Sequence, residues 1–87
     1  MMIIRHRINK IKDLVNLDHD LGVEIDIRSF NGEIILNHEP FSSGDRLDEW
    51  LENYQHRFLI LNIKEEGIEE KVSKIIKKFN INEYFFF

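Results

Sequence analysis

The stretch GVEIDIRSFNGEIILNH, residues 22–38, decides how the rest of this chain is organised. Its first seven residues alternate between apolar and polar side chains, the pattern of a β-strand whose two faces meet different surroundings. Glu24 and Asp26 therefore lie on one face, with backbones about 7 Å apart at roughly 3.3 Å per residue. Two carboxylates at this spacing suit a hard divalent cation, and an antiparallel strand with one solvated face gives the same pattern.

A turn and a returning arm follow this strand. Both central residues of a type I′ turn need positive φ, which Asn31 and Gly32 tolerate, so a β-hairpin is predicted after the second strand of the chain. Its second arm spans residues 33–38 and brings His38 back toward the two carboxylates.

Length and composition indicate a single domain over residues 1–87, with 43% hydrophobic residues to form a core. The absence of cysteine excludes disulfides and thiolate metal sites and favours a reducing cytoplasm. A net charge of −4 with scattered basic residues disfavours nucleic acid as a partner. No apolar run has membrane-spanning length, and the first ten residues lack the pattern of a signal peptide.

Apolar periodicity predicts alternating strands and helices around the hairpin. The strands are expected at residues 1–6, 22–28, 58–63 and from 84 onward, and the helices near 11–17, 47–54 and 68–79. Asn9 is predicted to cap the first helix, and Trp50 to pack in the core. Asp18-His19-Asp20 is interpreted as a solvated turn rather than a metal cluster. Such alternation predicts right-handed crossovers and a parallel sheet.

Polar side chains collect at the carboxyl ends of these predicted strands, where parallel α/β sheets bind their ligands. Besides the residues of the hairpin, they include His6, Arg7, Asn62 and Lys64. Two histidines beside a carboxylate-bound cation suit phosphodiester cleavage: one accepts the proton of the attacking hydroxyl, and the other protonates the leaving oxygen. Neighbouring cations offset the charge that develops on the phosphate oxygens.

This ordered set resembles the glycerophosphodiester phosphodiesterase family, within a superfamily that includes the bacterial phosphatidylinositol-specific phospholipases C. The resemblance rests on His6-Arg7, Glu24-x-Asp26, Asn31-Gly32, His38 and Lys64. It implies a (β/α)₈ TIM barrel that hydrolyses a small-molecule phosphodiester to glycerol 3-phosphate and an alcohol with Mg²⁺ or Ca²⁺. It also implies roles for seven residues: an acid–base pair of His6 and His38, metal ligands Glu24, Asp26 and Asn62, and phosphate-binding Arg7 and Lys64.

The chain departs from the family pattern in three respects. Ile8 stands where the family has glycine, and Asn62 replaces a glutamate that would ligate the metal. A barrel needs about 250 residues, so 87 residues supply only about three and a half βα units. We therefore expect an N-terminal portion of the barrel, weakly active or inactive at this length.

Two alternatives stay open. The first is a non-catalytic α/β interaction module that forms a homodimer through the hydrophobic edge strand Tyr84–Phe87. The second is a metal-free, phospholipase-like site that cleaves by internal attack of a substrate hydroxyl.

Overall fold

The chain forms a mixed, six-stranded open sheet with three short helices, in a computed structural model that describes residues 2–87. In chain order the elements are β1 (Ile4–Arg5), α1 (Ile11–Val15), β2 (Gly22–Phe30), β3 (Glu33–Leu36), β4 (Asp45–Arg46), α2 (Leu47–Glu52), β5 (Phe58–Ile63), α3 (Glu69–Lys77) and β6 (Tyr84–Phe86).

The predicted hairpin joins β2 and β3. Asn31 and Gly32 both have positive φ, 51° and 79°, as the tight turn requires. The two strands pair in antiparallel register from Ile27 with Leu36 to Phe30 with Glu33. The turn residues therefore set the register of this half of the sheet.

The sheet order is β4-β3-β2-β5-β6, with β1 parallel to the start of β2. Strands β2, β5 and β6 are parallel neighbours, whereas β3 and β4 are antiparallel. The prediction of a partial (β/α)₈ barrel with three and a half βα units was wrong. Along residues 27–30, β3 occupies the backbone groups of β2 that a further parallel strand would use, so the sheet grows outward to free edges at β4 and β6.

One continuous apolar core lies on a single face of the sheet. It is formed by the inward side chains of β2 and β5, exemplified by Ile25 and Leu61, and by residues from all three helices. Trp50 is fully buried within it, as predicted. Among residues 2–87, none of the helices is long and apolar enough to cross a lipid bilayer.

The element boundaries near the N-terminus differ from the predicted ones. The first strand is only Ile4–Arg5, and Met1, where we expected it to begin, lies outside the described residues. Lys10 occupies the N-cap position of α1 without a side-chain hydrogen bond. A residue distant in sequence instead bonds the N-terminus of α1: the Ile11 N–H donates to Asp45 Oδ2 at 2.7 Å.

A buried histidine, His56, sits beside the start of β5 with 8% of its surface exposed. Its Nε2 lies 3.0 Å from the Leu17 carbonyl oxygen, and its Nδ1 accepts the Gln55 N–H at 3.4 Å, so the neutral ring is fully bonded. The His19 ring lies 4.8 Å away, and Asp18 is the nearby carboxylate. Burial is the main cause that lowers the pKa of His56.

The lowered pKa of His56 predicts a loss of stability in acid. The unfolded chain takes up this proton at a higher pH than the folded chain, so the contribution is complete above about pH 6.5 and falls as the pH drops further. His56→Gln, which keeps a donor for Leu17, should reduce the loss. Urea unfolding midpoints at pH 7.5 and 5.5 measure it; equal losses in wild type and His56→Gln would contradict the assignment.

Candidate functional site

One pocket of about 460 Å³ brings together all seven residues singled out in the sequence. It opens where β1 and β5 end and beside the middle of β2. Its lining consists of His6, Arg7, Glu24, Asp26, His38, Asn62 and Lys64. Residues from four separate segments thus converge on one place, although the barrel that suggested them does not form.

His6 and Glu24 form the outer wall of the pocket. The His6 Nδ1 lies 3.1 Å from Glu24 Oε1, with side-chain exposures of 72% and 15% respectively. A carboxylate in this position accepts an Nδ1–H, which leaves Nε2 as the free acceptor of the ring. The pair therefore presents an oriented histidine to solvent.

Asp26 is the most buried polar residue of the pocket, with 1% exposure. Its Oδ2 accepts a hydrogen bond from Asn9 Nδ2 at 3.0 Å, and its Oδ1 lies 3.7 Å from Lys64 Nζ. The alternative of a solvated polar face on β2 is therefore wrong for Asp26. A buried carboxylate needs such partners, because an unpaired buried charge is strongly destabilising.

The Asn9 side chain forms hydrogen bonds with both the carboxylate and the backbone of Asp26. Besides its bond to the carboxylate, it accepts the Asp26 backbone N–H through Oδ1 at 2.8 Å. The prediction that Asn9 caps α1 was wrong, because its side chain bonds β2 instead. Asparagine is common at helix starts, so the sequence contained no signal for this role.

The loop that carries Arg7 is fixed by its neighbours. The Ile8 N–H donates to the Glu24 carbonyl at 3.0 Å, and the Ile8 carbonyl accepts from Trp50 Nε1 at 2.9 Å. Immediately before this anchored residue, Arg7 adopts a φ of 56°, which non-glycine residues rarely do. Within residues 2–87, Arg7 pairs with no carboxylate, so its charge is free to meet a ligand.

Lys64 is positioned by hydrogen bonds to β2. Its own N–H continues the parallel ladder to the Ile27 carbonyl at 2.9 Å. The next residue, Glu65, accepts the Ser29 N–H at 2.6 Å and the Ser29 hydroxyl at 2.8 Å. These two bonds, the backbone one first, hold the pKa of the Glu65 carboxyl below its usual range. The sequence did not predict these two hydrogen bonds, because Ser29 and Glu65 are 36 positions apart.

His38 is held through its backbone. Arg28 donates from Nε and Nη2 to the His38 carbonyl at 3.3 and 3.0 Å. The His38 Nδ1 lies 3.6 Å from Glu39 Oε1, a looser pairing than that of His6. The hairpin therefore returns His38 to the pocket, and Arg28 fixes the end of the arm.

The pocket contains oxygen donors of the type that Mg²⁺ and Ca²⁺ prefer. Asn62 is paired in register with Asp26, which places its amide beside the carboxylate. No group of three or more histidine, cysteine, aspartate or glutamate side chains suited to a metal occurs in the part of the chain that the structure describes. The oxygen donors that line the pocket are the two carboxylates of Glu24 and Asp26 and the uncharged amide of Asn62.

No family model, curated protein or solved structure matches the chain. The interpretation of the pocket therefore depends on the chemistry and arrangement of its own residues.

Removing the Asn9 side chain should destabilise the fold. Asn9→Ala leaves the Asp26 N–H and carboxylate short of partners in a buried position, at a cost of about 1–3 kcal/mol in the free energy of unfolding. The control is Asn16→Ala, since Asn16 bonds the Lys12 carbonyl at an exposed site and should cost less than about 0.5 kcal/mol. Urea denaturation measures both free energies of unfolding. Similar values for the two variants would show that the hydrogen bonds of Asn9 to Asp26 stabilise the fold no more than an exposed one does.

Proposed function

We propose that the pocket binds a phosphodiester and hydrolyses it to a phosphomonoester and an alcohol. The proposed substrate is a glycerophosphodiester, with glycerol 3-phosphate as one product, in a cytoplasmic protein of the glycerophosphodiester phosphodiesterase type. The observation that carries this proposal is the convergence of two histidines, two cations and three oxygen donors on one pocket. Each residue type matches a separate demand of phosphodiester cleavage.

His6 is proposed as the general base. Its Nδ1 is engaged by Glu24 at 3.1 Å, so Nε2 is the atom that accepts a proton from the attacking water. As the water oxygen forms its bond to phosphorus, Glu24 stabilises the imidazolium that results. The exposed position of the ring allows water to reach it.

His38 is proposed as the general acid. When the bond between phosphorus and the leaving oxygen breaks, the protonated ring donates its proton to that oxygen, and the alcohol departs neutral. Proton transfer back from His6 through solvent restores both rings. Glu39 Oε1 lies 3.6 Å from the Nδ1 of this ring.

Arg7 and Lys64 are proposed to bind the phosphate oxygens. Arg7 is unpaired within the described residues and offers a planar fork of donors. Lys64 adds a positive charge at the opposite side of β2. Glu24, Asp26 and Asn62 would hold Mg²⁺ or Ca²⁺, which when bound supplies further stabilisation of the charge on the phosphate.

Replacing either histidine should lower hydrolysis. His6→Gln and His38→Gln are each expected to reduce choline release from glycerophosphocholine by about 10²–10⁴-fold, because each removes a proton-transfer step. His19→Gln, on a surface turn away from the pocket, is the matched control. Equal rates for the three variants, with folding verified by circular dichroism, would refute the acid–base assignment.

Divalent cations should stabilise the protein through the pocket. Mg²⁺ or Ca²⁺ at tenfold excess over Kd adds about 1.4 kcal/mol to the free energy of unfolding and raises the melting temperature by several degrees. The double variant Glu24→Gln with Asp26→Asn should abolish the rise. The control is Asp18→Asn with Asp20→Asn, which removes a pair of exposed carboxylates at the same spacing; loss of the rise in this control instead would move the metal site to the turn.

The second candidate is an interaction module that pairs through β6. The supporting observation is that, within residues 2–87, β6 pairs only with β5 and carries exposed Tyr84, Phe85 and Phe86. Phe86→Asp should then convert a dimer to a monomer in analytical ultracentrifugation, while Phe41→Asp, at a fully exposed loop position, should not. A dimer that survives Phe86→Asp would exclude pairing through this edge.

A further inference from the structure

Within residues 2–87, no helix packs on the face of the sheet that carries Glu24 and Asp26. The apolar residues of the three helices join the core on the opposite face, together with Val23 and Ile25. In the described part of the chain, no side chain on the Glu24 face belongs to that core. Asp26 and Ile35 are buried on this second face by other segments, whereas Phe58, Ile60 and Phe85 remain partly exposed to solvent or a ligand.

Four apolar side chains form a strip on this second face: Ile4, Phe58, Ile60 and Phe85. Ile60 is paired in register with Phe85, and the Phe58 and Phe85 rings lie 5.9 Å apart. Gly22 separates Ile4 from Phe58 in the sheet. A Cβ at Gly22 would lie 3.0 Å from Ile4 Cγ1, 3.3 Å from Met2 Sδ and 3.5 Å from Phe58 Cβ, so apolar side chains cover β2 at this position and make the strip continuous.

The strip reaches the pocket at Glu24. Ile60 is the register partner of Glu24, and Asn62 follows two residues later on the same face. Since neighbouring strands lie about 4.8 Å apart, the strip begins one strand spacing from the pocket wall. Phe85 is 46% exposed, and Ile60 is partly exposed. The exposed apolar surface of the strip is therefore continuous with the polar pocket.

The charged residues at the end of the strip indicate which kind of ligand this surface would bind. Arg7 and Lys64 line the pocket together with Glu24 and Asp26, so the charges balance in the free protein. A divalent cation held by the two carboxylates, as proposed above, would leave this half of the surface net positive. A molecule that matches it is apolar at one end and anionic at the other.

We propose that the strip binds the acyl or alkyl chain of a phosphodiester whose phosphate occupies the pocket. The ligand class is then a single-chain amphiphilic phosphodiester. This inference rests on the proposed function, because the phosphate must bind in the pocket for the chain to lie along Ile60 and Phe85.

Isothermal titration calorimetry with two ligands of the same headgroup tests the inference in the presence of Mg²⁺. The probes are glycerophosphocholine and 1-decanoyl-lysophosphatidylcholine, the latter below its critical micelle concentration. The acylated probe should bind at least about tenfold more tightly, because burial of its chain adds to the same phosphate contacts. Ile60→Thr and Phe85→Ser should each remove most of this difference and change the affinity for glycerophosphocholine by less than about twofold.

Phe41→Ser is the matched control, since Phe41 is 94% exposed and does not lie on the strip. It should leave both affinities unchanged. Circular dichroism verifies folding, and the exposed Phe85→Ser carries the test by itself if Ile60→Thr does not fold.

Each remaining outcome overturns the inference in a recognisable way. Equal affinity for the two probes would refute the strip while leaving the phosphodiester pocket intact, whereas no binding of either probe would refute both. A preference for the acylated probe that survives Ile60→Thr and Phe85→Ser would locate the chain elsewhere. Dissociation of a dimer by Phe85→Ser, with the preference unchanged, would make the strip a contact between copies.

Discussion

The structure depends on how one edge of β2 satisfies its backbone hydrogen bonds. Two different strands share this edge, β1 at its start and β3 at its end, and neither reaches the middle. Asn9 fills the interval, since its side chain accepts the Asp26 N–H where a strand would have offered a carbonyl. Because a buried, unpaired backbone group is costly, this one side chain allows two strands of opposite direction to meet beside a buried carboxylate.

The same arrangement explains why the most buried part of the pocket, at Asp26, is polar. Asp26 is buried at the place where β1 gives way to β3, so its carboxylate faces the gap between them rather than the core. The Asn9 side chain bonds the Asp26 carboxylate, and the Asn37 N–H bonds the Asp26 carbonyl at 3.1 Å. A buried carboxylate is thus accommodated in the sheet because its partners, Asn9 and Lys64, lie in segments that adjoin the strands.

The sequence pattern predicts local elements well and their assembly less well. The alternation in residues 22–28 and the Asn31-Gly32 turn identify β2 and the hairpin, because these signals depend on neighbouring residues. The barrel prediction failed because a pattern of strands and helices does not specify which edge of a strand its neighbours occupy. The pocket residues were nevertheless brought together, since strands that run parallel present their ends at one edge whether or not the sheet closes. The sequence did not predict the roles of Asn9 and Arg28 or the hydrogen bonds between Ser29 and Glu65. These roles depend on contacts between residues that are distant in sequence.

The bond from Trp50 to the Ile8 carbonyl has a consequence for the order in which the molecule is built. It joins positions 42 residues apart and acts on the same residue, Ile8, whose N–H is bonded to Glu24. A nascent chain that has emerged only as far as the hairpin already carries His6, Glu24, Asp26 and His38, but it lacks Trp50, Asn62 and Lys64. The complete pocket therefore forms only after α2 and β5 have been synthesised and have packed. Ligand affinity then reports on the integrity of the whole sheet, rather than on the local order of one loop.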